Sequence, residues 1–391
     1  MKTIKQEFTV PFSYHVEFTE NLFDMSNRLF VDTIKNKDTS LKPSVLFVFD
    51  SGMYSHHPEL MKEITEYSAK HSDHFSLVSE PVIIPGGERA KNDPTNVQMI
   101  LEAIESADID RHSYVAVIGG GAVTDTAGYA AAIAHRGIRL IRIPTTVLAQ
   151  NDAAVGVKNG VNAYGKKNFL GTFVPPVAVL NDFSFLNTLD DRQWRAGISE
   201  AVKVALIKDA RFFVELEKNA GALKRRDRKT MSSLIYRCAE LHLEHISTSG
   251  DPFERGTSRP LDFGHWVAHK LEQLTNYKLL HGEAVAIGIV VDTIYSKLKG
   301  FITEDECDRI IRLFRNCGFK LYVPELESNL DDPSNINSVL HGLQEFREHL
   351  GGELTIMLLD TIGRGVEVHE VDVILYRKAI DELRNREKEL V

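Results

Sequence analysis

The chain has 391 residues, of which 43% are hydrophobic and 26% are charged, and its formal net charge at pH 7 is -9. These values are typical of a globular protein with room for two domains. The negative charge argues against nucleic acid and anionic membranes as partners, since no long basic segment offsets it. The three cysteines provide no disulfide framework. The N-terminus lacks the apolar core of a signal peptide, and the longest apolar runs are too short to span a bilayer. We therefore expect a cytoplasmic protein.

The first half of the chain alternates strand-like and helix-like segments. Residues 5–18 alternate apolar and polar side chains and predict strands at the edge of a sheet. The continuous apolar run 44–50 predicts a strand covered on both faces. The further predicted elements are helices over 58–71 and 94–107 and strands over 75–84 and 114–120. This order predicts a Rossmann-like, parallel, doubly wound sheet that binds its ligand at the carboxyl ends of the strands.

Three segments at predicted strand ends have the composition of a dinucleotide site. Asp50 ends a strand, where a carboxylate is often found on a ribose hydroxyl. Residues 119–125 (GGGAVTD) lead into a helix of small residues, and their glycines let backbone amides approach a pyrophosphate. Residues 85–91 (PGGERAK) add a glycine turn with a glutamate and a lysine. Either glycine segment alone fits a tight turn or a solvated loop equally well, and together they favour a dinucleotide.

A second dense segment, residues 150–168 (QNDAAVGVKNGVNAYGKKN), follows a predicted strand that ends at Thr145 and Thr146. Its lysines and asparagines stand among glycines, which predicts a loop that binds an oxyanion such as phosphate. A solvated lysine loop would explain the lysines but not the interleaved small residues.

The pattern changes to long helical runs near Thr188, which predicts an α/β domain over residues 1–187 and a helical domain over 188–391. The second domain contains one predicted β excursion at 350–360. Glu200 and Lys203 lie three residues apart on one face of a mostly apolar helix, so we expect this pair to be half buried. Glu200 would supply an oxygen ligand to a metal site.

Three histidines predict the remaining metal ligands. His265 and His269 are four residues apart in a segment with helical spacing, so that both rings project from one face, and His281 opens the next helix-like run. A single histidine on a half-buried helix is usually a packed core residue, but three that converge on a carboxylate favour a divalent ion. Trp266 follows His265, so the segment lacks the glutamate of a zinc protease motif.

Several motifs in sequence resemble those of the 3-dehydroquinate synthase family of sugar phosphate cyclases. They are GGGAVTDTAGYAA, HRGIRLIRIPTTVLAQNDAAVGVKNGVN, GKKN, RAGISEAVK, LDFGHWVAH and LHGEAVAIG, which follow the family's order over nearly the whole chain. The pattern is most similar to the Ebo-cluster branch of that family.

The resemblance implies roles for particular residues. It implies metal ligands Glu200, His265 and His281, with Zn²⁺ or Co²⁺ as the ion. It implies NAD contacts from Asp50, Glu88, Lys91, Gly120, Gly121, Asp125, Thr145, Thr146 and Lys167. It implies catalytic roles for Lys203, Asp152, Lys158 and His269, and substrate contacts from Asn168, Asp262, Arg259 and Arg347. Arg136 is expected to reach the phosphate in the neighbouring subunit's site, which implies a homodimer.

The implied reaction is that of a lyase which recycles its nicotinamide. A hydroxyl is oxidised by NAD, phosphate is eliminated, NADH returns the hydride, and the opened ring closes by an intramolecular aldol step. The metal and Lys203 would stabilise the alkoxide.

Several positions depart from the synthase pattern. Near the C-terminus, residues 346–348 (FRE) stand where the family often has D-K-K, and Arg347 could replace the lysine charge. Cys238 stands where a lysine is expected, Ser258 stands where an arginine is expected, and Asp262 replaces an asparagine. The expected cations hold a substrate carboxylate, whose burial needs compensating charge. We therefore predict a cyclase that makes a C7 cyclitol from a neutral-headed heptulose 7-phosphate such as sedoheptulose 7-phosphate. Arg259, displaced by one residue, could restore a carboxylate site.

Three alternatives follow. The first is a true 3-dehydroquinate synthase of the shikimate pathway. The second is a metal-dependent dehydrogenase of the glycerol dehydrogenase type, which would release NADH. The third is a binding protein without catalytic activity on the same fold.

Overall fold

The computed structural model describes residues 2–34, 42–78, 80–256, 258–349 and 352–389. The chain divides into two compact units, Met1–Pro144 with Val157–Ser184, and Thr145–Gly156 with Phe185–Val391. The segment Thr145–Gly156, which the sequence prediction assigned to the first domain, makes its contacts within the second unit. The domain limits 1–187 and 188–391 stay a prediction.

A parallel sheet forms the centre of the first unit. Its strands are β1 (His15–Thr19), β2 (Ser44–Asp50), β3 (Ser76–Leu77), β4 (Val82–Ile84), β5 (Tyr114–Gly119), β6 (Arg139–Pro144) and, after the hairpin β7 (Lys158–Ala163) and β8 (Lys166–Phe173), β9 (Ala178–Asp182). The strand order is β1-β9-β6-β5-β2-β3, β4 also pairs with β2, and every pairing in this sheet is parallel. The predicted Rossmann-like fold is confirmed.

Helices connect the strands of this sheet. They are α1 (Leu29–Ile34), α2 (Ser51–His56), α3 (Leu60–Lys70), α4 (Arg89–Asn92), α5 (Pro94–Ser106) and α6 (Gly121–Ile133). All six residues of β5 are buried, as are six of the seven in β2, because each strand has neighbours on both sides and apolar side chains on both faces.

Two sequence predictions are corrected, over residues 5–18 and over residues 150–168. The predicted edge strands over 5–18 reduce to β1, and residues 2–14 form no strand although Phe8, Val10 and Phe12 alternate there. These three side chains are exposed, so the alternation has no buried face to register against. The predicted loop over 150–168 contains a π-helix, Ala149–Ala153, and most of the antiparallel hairpin β7–β8.

The second unit is mainly helical. Its helices are α7 (Asp191–Lys208), α8 (Ala210–Lys224), α9 (Arg228–Thr248), α10 (His265–Leu274), α11 (His281–Leu298), α12 (Glu304–Asn316), α13 (Gly342–His349) and α14 (Val373–Lys388). The predicted β excursion is one strand of a hairpin, β10 (Ile356–Thr361) and β11 (Arg364–Val368). Across the described ranges, no helix combines the length and hydrophobicity needed to span a membrane.

Two glycines of α11 allow it to lie against its neighbours at very short range. A Cβ on Gly282 would stand 1.9 Å from the carbonyl oxygen of Ala196 in α7. A Cβ on Gly288 would stand 2.0 Å from the carbonyl oxygen of Gly264, which precedes α10 and has a φ of +79°. Helix α11 therefore packs backbone to backbone against α7 and the start of α10, which brings three helices together at one place.

Candidate metal centre and nucleotide-binding residues

Three side chains from α7, α10 and α11 meet in the second unit. Glu200 comes from the middle of α7, while His265 and His281 are the first residues of α10 and α11. The Nε2 atoms of His265 and His281 lie 3.8 and 3.7 Å from Glu200 Oε1. Ligands that surround one Zn²⁺ at about 2.0–2.2 Å stand about 3–4 Å apart, so this spacing suits a single divalent ion.

The surroundings of Glu200 also fit a cation. Its side chain is completely buried, and Lys203 Nζ lies 2.5 Å from Oε2. Among the described residues Oε1 accepts no hydrogen bond. Leaving a buried acceptor unsatisfied costs about 1–3 kcal/mol. Burial raises the pKa of Glu200, as does the charge of Asp152, and Lys203 opposes both. A divalent ion beside Oε1 would satisfy this oxygen.

The two histidines present the lone pair that a metal requires. His265 Nδ1 lies 3.2 Å from the carbonyl oxygen of Phe263, so this nitrogen can donate a hydrogen bond while Nε2 faces Glu200. Burial lowers the pKa of His265 well below its usual value, and the positive charge of Lys203 lowers it further. A neutral imidazole with its proton on Nδ1 can bind a metal through Nε2.

Lys203 and Asp152 lie beside the same cluster. Lys203 is 2% exposed, which corrects the expectation of a half-buried pair. Burial alone would lower the pKa of Lys203, but the charges of Glu200 and Asp152 outweigh it and raise that pKa. Burial alone would raise the pKa of Asp152, but Lys203 and His242 lower it overall. Both groups are therefore held in their charged forms.

His242 and Glu272 lie at this cluster but were not predicted from the sequence. His242 Nδ1 of α9 lies 2.8 Å from Asp152 Oδ1, and Glu272 Oε2 of α10 lies 3.1 Å from His281 Nδ1. Glu272 follows His265 by seven residues and His269 by three, so the helical period places all three on one face. That spacing is the signal that would have identified it; His242 carries no comparable signal.

His269 lies in the same group of rings. Its ring centroid is 5.5 Å from that of His265 and 6.0 Å from that of His281. It also belongs, with Glu272 and His281, to a second group whose nitrogen and oxygen atoms are within 4.8 Å of one another. The structure thus brings the three predicted histidines together.

The residues at the departing positions have partners of their own. Cys238 is completely buried in α9, and burial raises the pKa of its thiol well above the usual value. Ser258 Oγ donates to Glu367. Arg259 Nε lies 3.3 Å from Glu254 Oε2, and its Nη atoms donate to three backbone carbonyls at 2.7–2.9 Å. Asp262 adds a negative charge that acts on Lys203. Arg347 is exposed on α13.

In the first unit, the carboxyl ends of three adjacent strands bring Asp50 close to the two glycine segments. Asp50 Oδ1 accepts from the backbone N–H groups of Gly52 and Met53 and caps α2. A Cβ on Gly86 would stand 2.4 Å from the same oxygen. Gly120 precedes α6, and no side chain of the described residues caps the first turn of this helix. Uncapped N–H groups at a helix N-terminus suit a phosphate.

Polar contacts next to these strand ends involve five predicted site residues. Lys91 is buried, and its Nζ lies 2.5 Å from Asp125 Oδ2 and 2.7 Å from Asn168 Oδ1. Lys167 Nζ lies 3.8 Å from Glu88 Oε1. Lys91, predicted for the cofactor, therefore contacts both Asp125, also predicted for the cofactor, and Asn168, predicted for the substrate.

The other predicted residues are placed as follows. Lys158 opens β7 with an exposed side chain, and Arg136 is exposed with a φ of +62°. In the second unit, Thr145 is buried and Thr146 Oγ1 accepts from the backbone N–H of Ala149 at 3.2 Å. The ligands of all these residues stay predictions.

Comparisons with known proteins identify the family of this chain. Residues 81–196 match the 3-dehydroquinate synthase N-terminal family model, and residues 197–339 match its C-terminal counterpart. A 3-dehydroquinate synthase of Nitrosospira multiformis is 35% identical over 307 residues, which cover 78% of this chain and 81% of that protein. The chain belongs to the 3-dehydroquinate synthase family. The predicted family is thereby confirmed.

Two further proteins are similar to this chain, one in sequence and one in structure. A 3-dehydroquinate synthase of Pseudomonas syringae pv. tomato is 37% identical over 314 residues, covering 78% of this chain and 83% of that protein. ValA, a 2-epi-5-epi-valiolone synthase of Streptomyces hygroscopicus subsp. jinggangensis 5008, was solved with NAD⁺ and Zn²⁺ bound. It matches 98% of this chain and 100% of its own with a TM-score of 0.85 and 28% identity.

Proposed function

We propose that this protein is an NAD- and divalent-metal-dependent sugar phosphate cyclase that eliminates phosphate. The observation that carries the proposal is the Glu200–His265–His281 cluster with its unsatisfied carboxylate oxygen, in a chain of this family. The NAD⁺ and Zn²⁺ of ValA support the same two cofactors here. A bound divalent ion would polarise a substrate oxygen as a Lewis acid.

The chain's own groups would then handle charge and protons. Lys203, held protonated by Glu200 and Asp152, places a fixed positive charge where an alkoxide would form. Asp152, held ionised and positioned by His242, can accept a hydrogen bond from a sugar hydroxyl. His269 lies next to both histidine ligands and is the proposed acid or base of the later steps.

The residues of the first unit would bind the cofactor. The uncapped N-terminus of α6 suits the pyrophosphate, and Asp50 would bind a ribose beside it. Glu88, Lys91, Asp125 and Lys167 would line the remainder of that site. Thr145 and Thr146, which belong to the second unit, stay predicted contacts of NAD.

Two kinds of observation favour different substrates for the proposed cyclase. The names of the curated relatives support 3-dehydroquinate synthase, whose substrate is a heptulosonate phosphate, better than they support a C7 cyclitol synthase. The charges in the second unit favour a head group without a carboxylate. Cys238 is a buried thiol, Arg259 is paired with Glu254, and Asp262 stands where the synthase pattern has a neutral asparagine. The likeness to ValA agrees with the second of these substrates.

The test is phosphate release by the purified, Zn²⁺-loaded protein from each substrate at a catalytic level of NAD. A cyclase releases phosphate without net NADH. Faster turnover of the heptulosonate, with a product that absorbs as dehydroquinate, would support 3-dehydroquinate synthase. Faster turnover of sedoheptulose 7-phosphate would support the cyclitol synthase and membership of the Ebo-cluster branch. Accumulation of NADH would instead support a dehydrogenase. If the protein produces neither phosphate nor NADH, the result would support a binding protein.

Two further proposals concern assembly. The predicted homodimer, in which Arg136 reaches the phosphate of the neighbouring site, fits the exposed side chain of this residue. Sedimentation of the wild-type protein tests the dimer. Mixing Arg136→Ala subunits with inactive His281→Ala subunits tests the shared site: hybrid dimers should regain part of the activity, because one of their two sites combines an intact metal centre with an intact Arg136.

A further inference from the structure

Two groups of possible metal ligands in the second unit share one histidine. Glu200, His265 and His281 form the first group, and His269, Glu272 and His281 form the second. The two nitrogens of the shared ring face different carboxylates. His281 Nε2 lies 3.7 Å from Glu200 Oε1, whereas Nδ1 lies 3.1 Å from Glu272 Oε2.

One imidazole does not ordinarily serve both groups as a ligand. A neutral ring has one lone pair and one N–H, so it binds a metal through one nitrogen and donates a hydrogen bond from the other. Binding a cation through each nitrogen would require the loss of both ring protons. The two groups are therefore better explained as one site and its support.

We propose that Glu272 is a positioning residue that holds His281 in the orientation required of a metal ligand. Its carboxylate accepts the Nδ1–H of His281, which turns Nε2 toward Glu200. The inference rests on the proposed metal site and assigns the function of a residue that the site itself does not include.

The burial of Glu272 supports this role. Its side chain is 4% exposed, whereas that of His281 is 29% exposed, so the more exposed ring contacts a carboxylate that is almost completely buried. The other histidine ligand has the same arrangement, because His265 Nδ1 lies 3.2 Å from the Phe263 carbonyl oxygen. Partners of this kind fix the ring and its tautomer, and their loss typically costs about 10–100-fold in metal affinity.

Glu272 also selects between two neighbouring histidines. His269 is stacked near His281, with 6.0 Å between centroids and 26° between the ring planes, so it is close enough to compete as a ligand. A carboxylate that orients His281 toward Glu200 favours that ring. Without Glu272, His281 can rotate about its χ angles, and the ion loses a fixed third ligand.

The experiment measures metal binding by full-length variants. The variants are Glu272→Ala, which removes the acceptor, and Glu272→Gln, which keeps an oxygen that can accept the Nδ1–H. Glu345→Gln is the matched control. Glu345 Oε1 lies 2.5 Å from Nζ of Lys270, which is on α10 like Glu272, and Glu345 lies outside both ligand groups. Zn²⁺ affinity is measured by competition with a chelator, and the absorption bands of bound Co²⁺ report the geometry of the site.

We expect Glu272→Ala to bind Zn²⁺ about 10–100-fold more weakly with an altered Co²⁺ spectrum. Glu272→Gln should recover most of the affinity, and the control should match the wild type. Wild-type affinity and spectrum in Glu272→Ala would overturn the inference, as would two bound ions per wild-type chain, which would make Glu272 a ligand. If Glu272→Ala does not fold, Glu272→Gln decides the question. A Zn²⁺ affinity of Glu272→Gln as low as that of His281→Ala would overturn the inference.

A His281→Ala variant separates this inference from the proposed site. If His281→Ala keeps wild-type affinity, the metal site itself is wrong, and the role of Glu272 fails with it. If His281→Ala loses the ion while Glu272→Ala keeps it, only the role of Glu272 is wrong.

Discussion

Gly282→Ala tests whether close helix packing creates the metal centre. Gly282 follows the ligand His281, and a Cβ at this position would stand 1.9 Å from the Ala196 carbonyl oxygen. Ordinary van der Waals contact begins at 3.4 Å, so α11 must move away from α7 by about 1.5 Å to accept a methyl group. Glu200 is on α7, one helical turn beyond Ala196, so the same movement separates the two ligands.

The expected loss follows from the tolerance of the site. Zn–N distances of about 2.0–2.1 Å vary by only about 0.2 Å in functional sites, which is several times less than the required movement. Overpacking of this kind also costs about 1–3 kcal/mol of folding free energy. We therefore expect Gly282→Ala to lose Zn²⁺ affinity by at least about tenfold and to unfold at lower urea concentration even without metal.

The assay is chelator competition for Zn²⁺, with urea unfolding of the metal-free protein in parallel. Gly221→Ala is the control, since its Cβ would meet only the flexible end of Arg225 at 3.3 Å within α8. The control should bind Zn²⁺ like the wild type. Unchanged Zn²⁺ affinity in Gly282→Ala would refute the reasoning, because it would show that α11 can move without displacing His281 from the ion.

Three further predictions concern charge. Lys203→Met should destabilise the metal-free protein by about 3–5 kcal/mol, because it leaves Glu200 buried without its cation, and saturating Zn²⁺ should recover part of the loss in thermal unfolding. Burial raises the pKa of the Asp292 carboxyl group to about 7, although three hydrogen bonds donated to it act to lower that pKa. The folded state therefore binds the carboxyl proton more tightly than the unfolded state does. The urea stability advantage of wild type over Asp292→Asn should therefore be larger at pH 5 than at pH 8, and an equal or smaller advantage at pH 5 would contradict the shift. Finally, Lys91→Ala should weaken NAD binding about tenfold in calorimetry. Lys158→Ala should instead lower phosphate release at least tenfold and leave NAD affinity unchanged. Loss of NAD binding in Lys158→Ala would assign Lys158 to the cofactor.

Local patterns in the sequence were sufficient for the architecture and for the three proposed ligands. The apolar run of β2 predicts a buried central strand because such a strand can only be stable with covered faces. The spacing of His265 and His269 and the position of His281 at a helix start are local features, so they can be read before the chain is folded.

The hairpin β7–β8 was missed for a physical reason. Its residues are rich in glycine, asparagine and lysine, which have low strand propensity, and the segment is a strand pair only because its two halves bond to each other. The N-terminal segment shows the reverse error. Residues 2–14 have strand-like alternation, but its apolar side chains Phe8, Val10 and Phe12 are exposed and form no buried face.

The supporting residues of the metal centre depended on the tertiary structure. His242 reaches Asp152 from a helix 90 positions further along the chain, and Cys238, one turn earlier on the same helix, is buried. The sequence places Glu272 on the same helix face as His265 and His269, but only the helix packing shows that its carboxylate contacts His281. Sequence determined which groups can bind a metal, since that is a property of each side chain. Which nitrogen of each ring faces Glu200 was decided by the packing of α11 on α7 and α10, because those contacts join residues far apart in the chain.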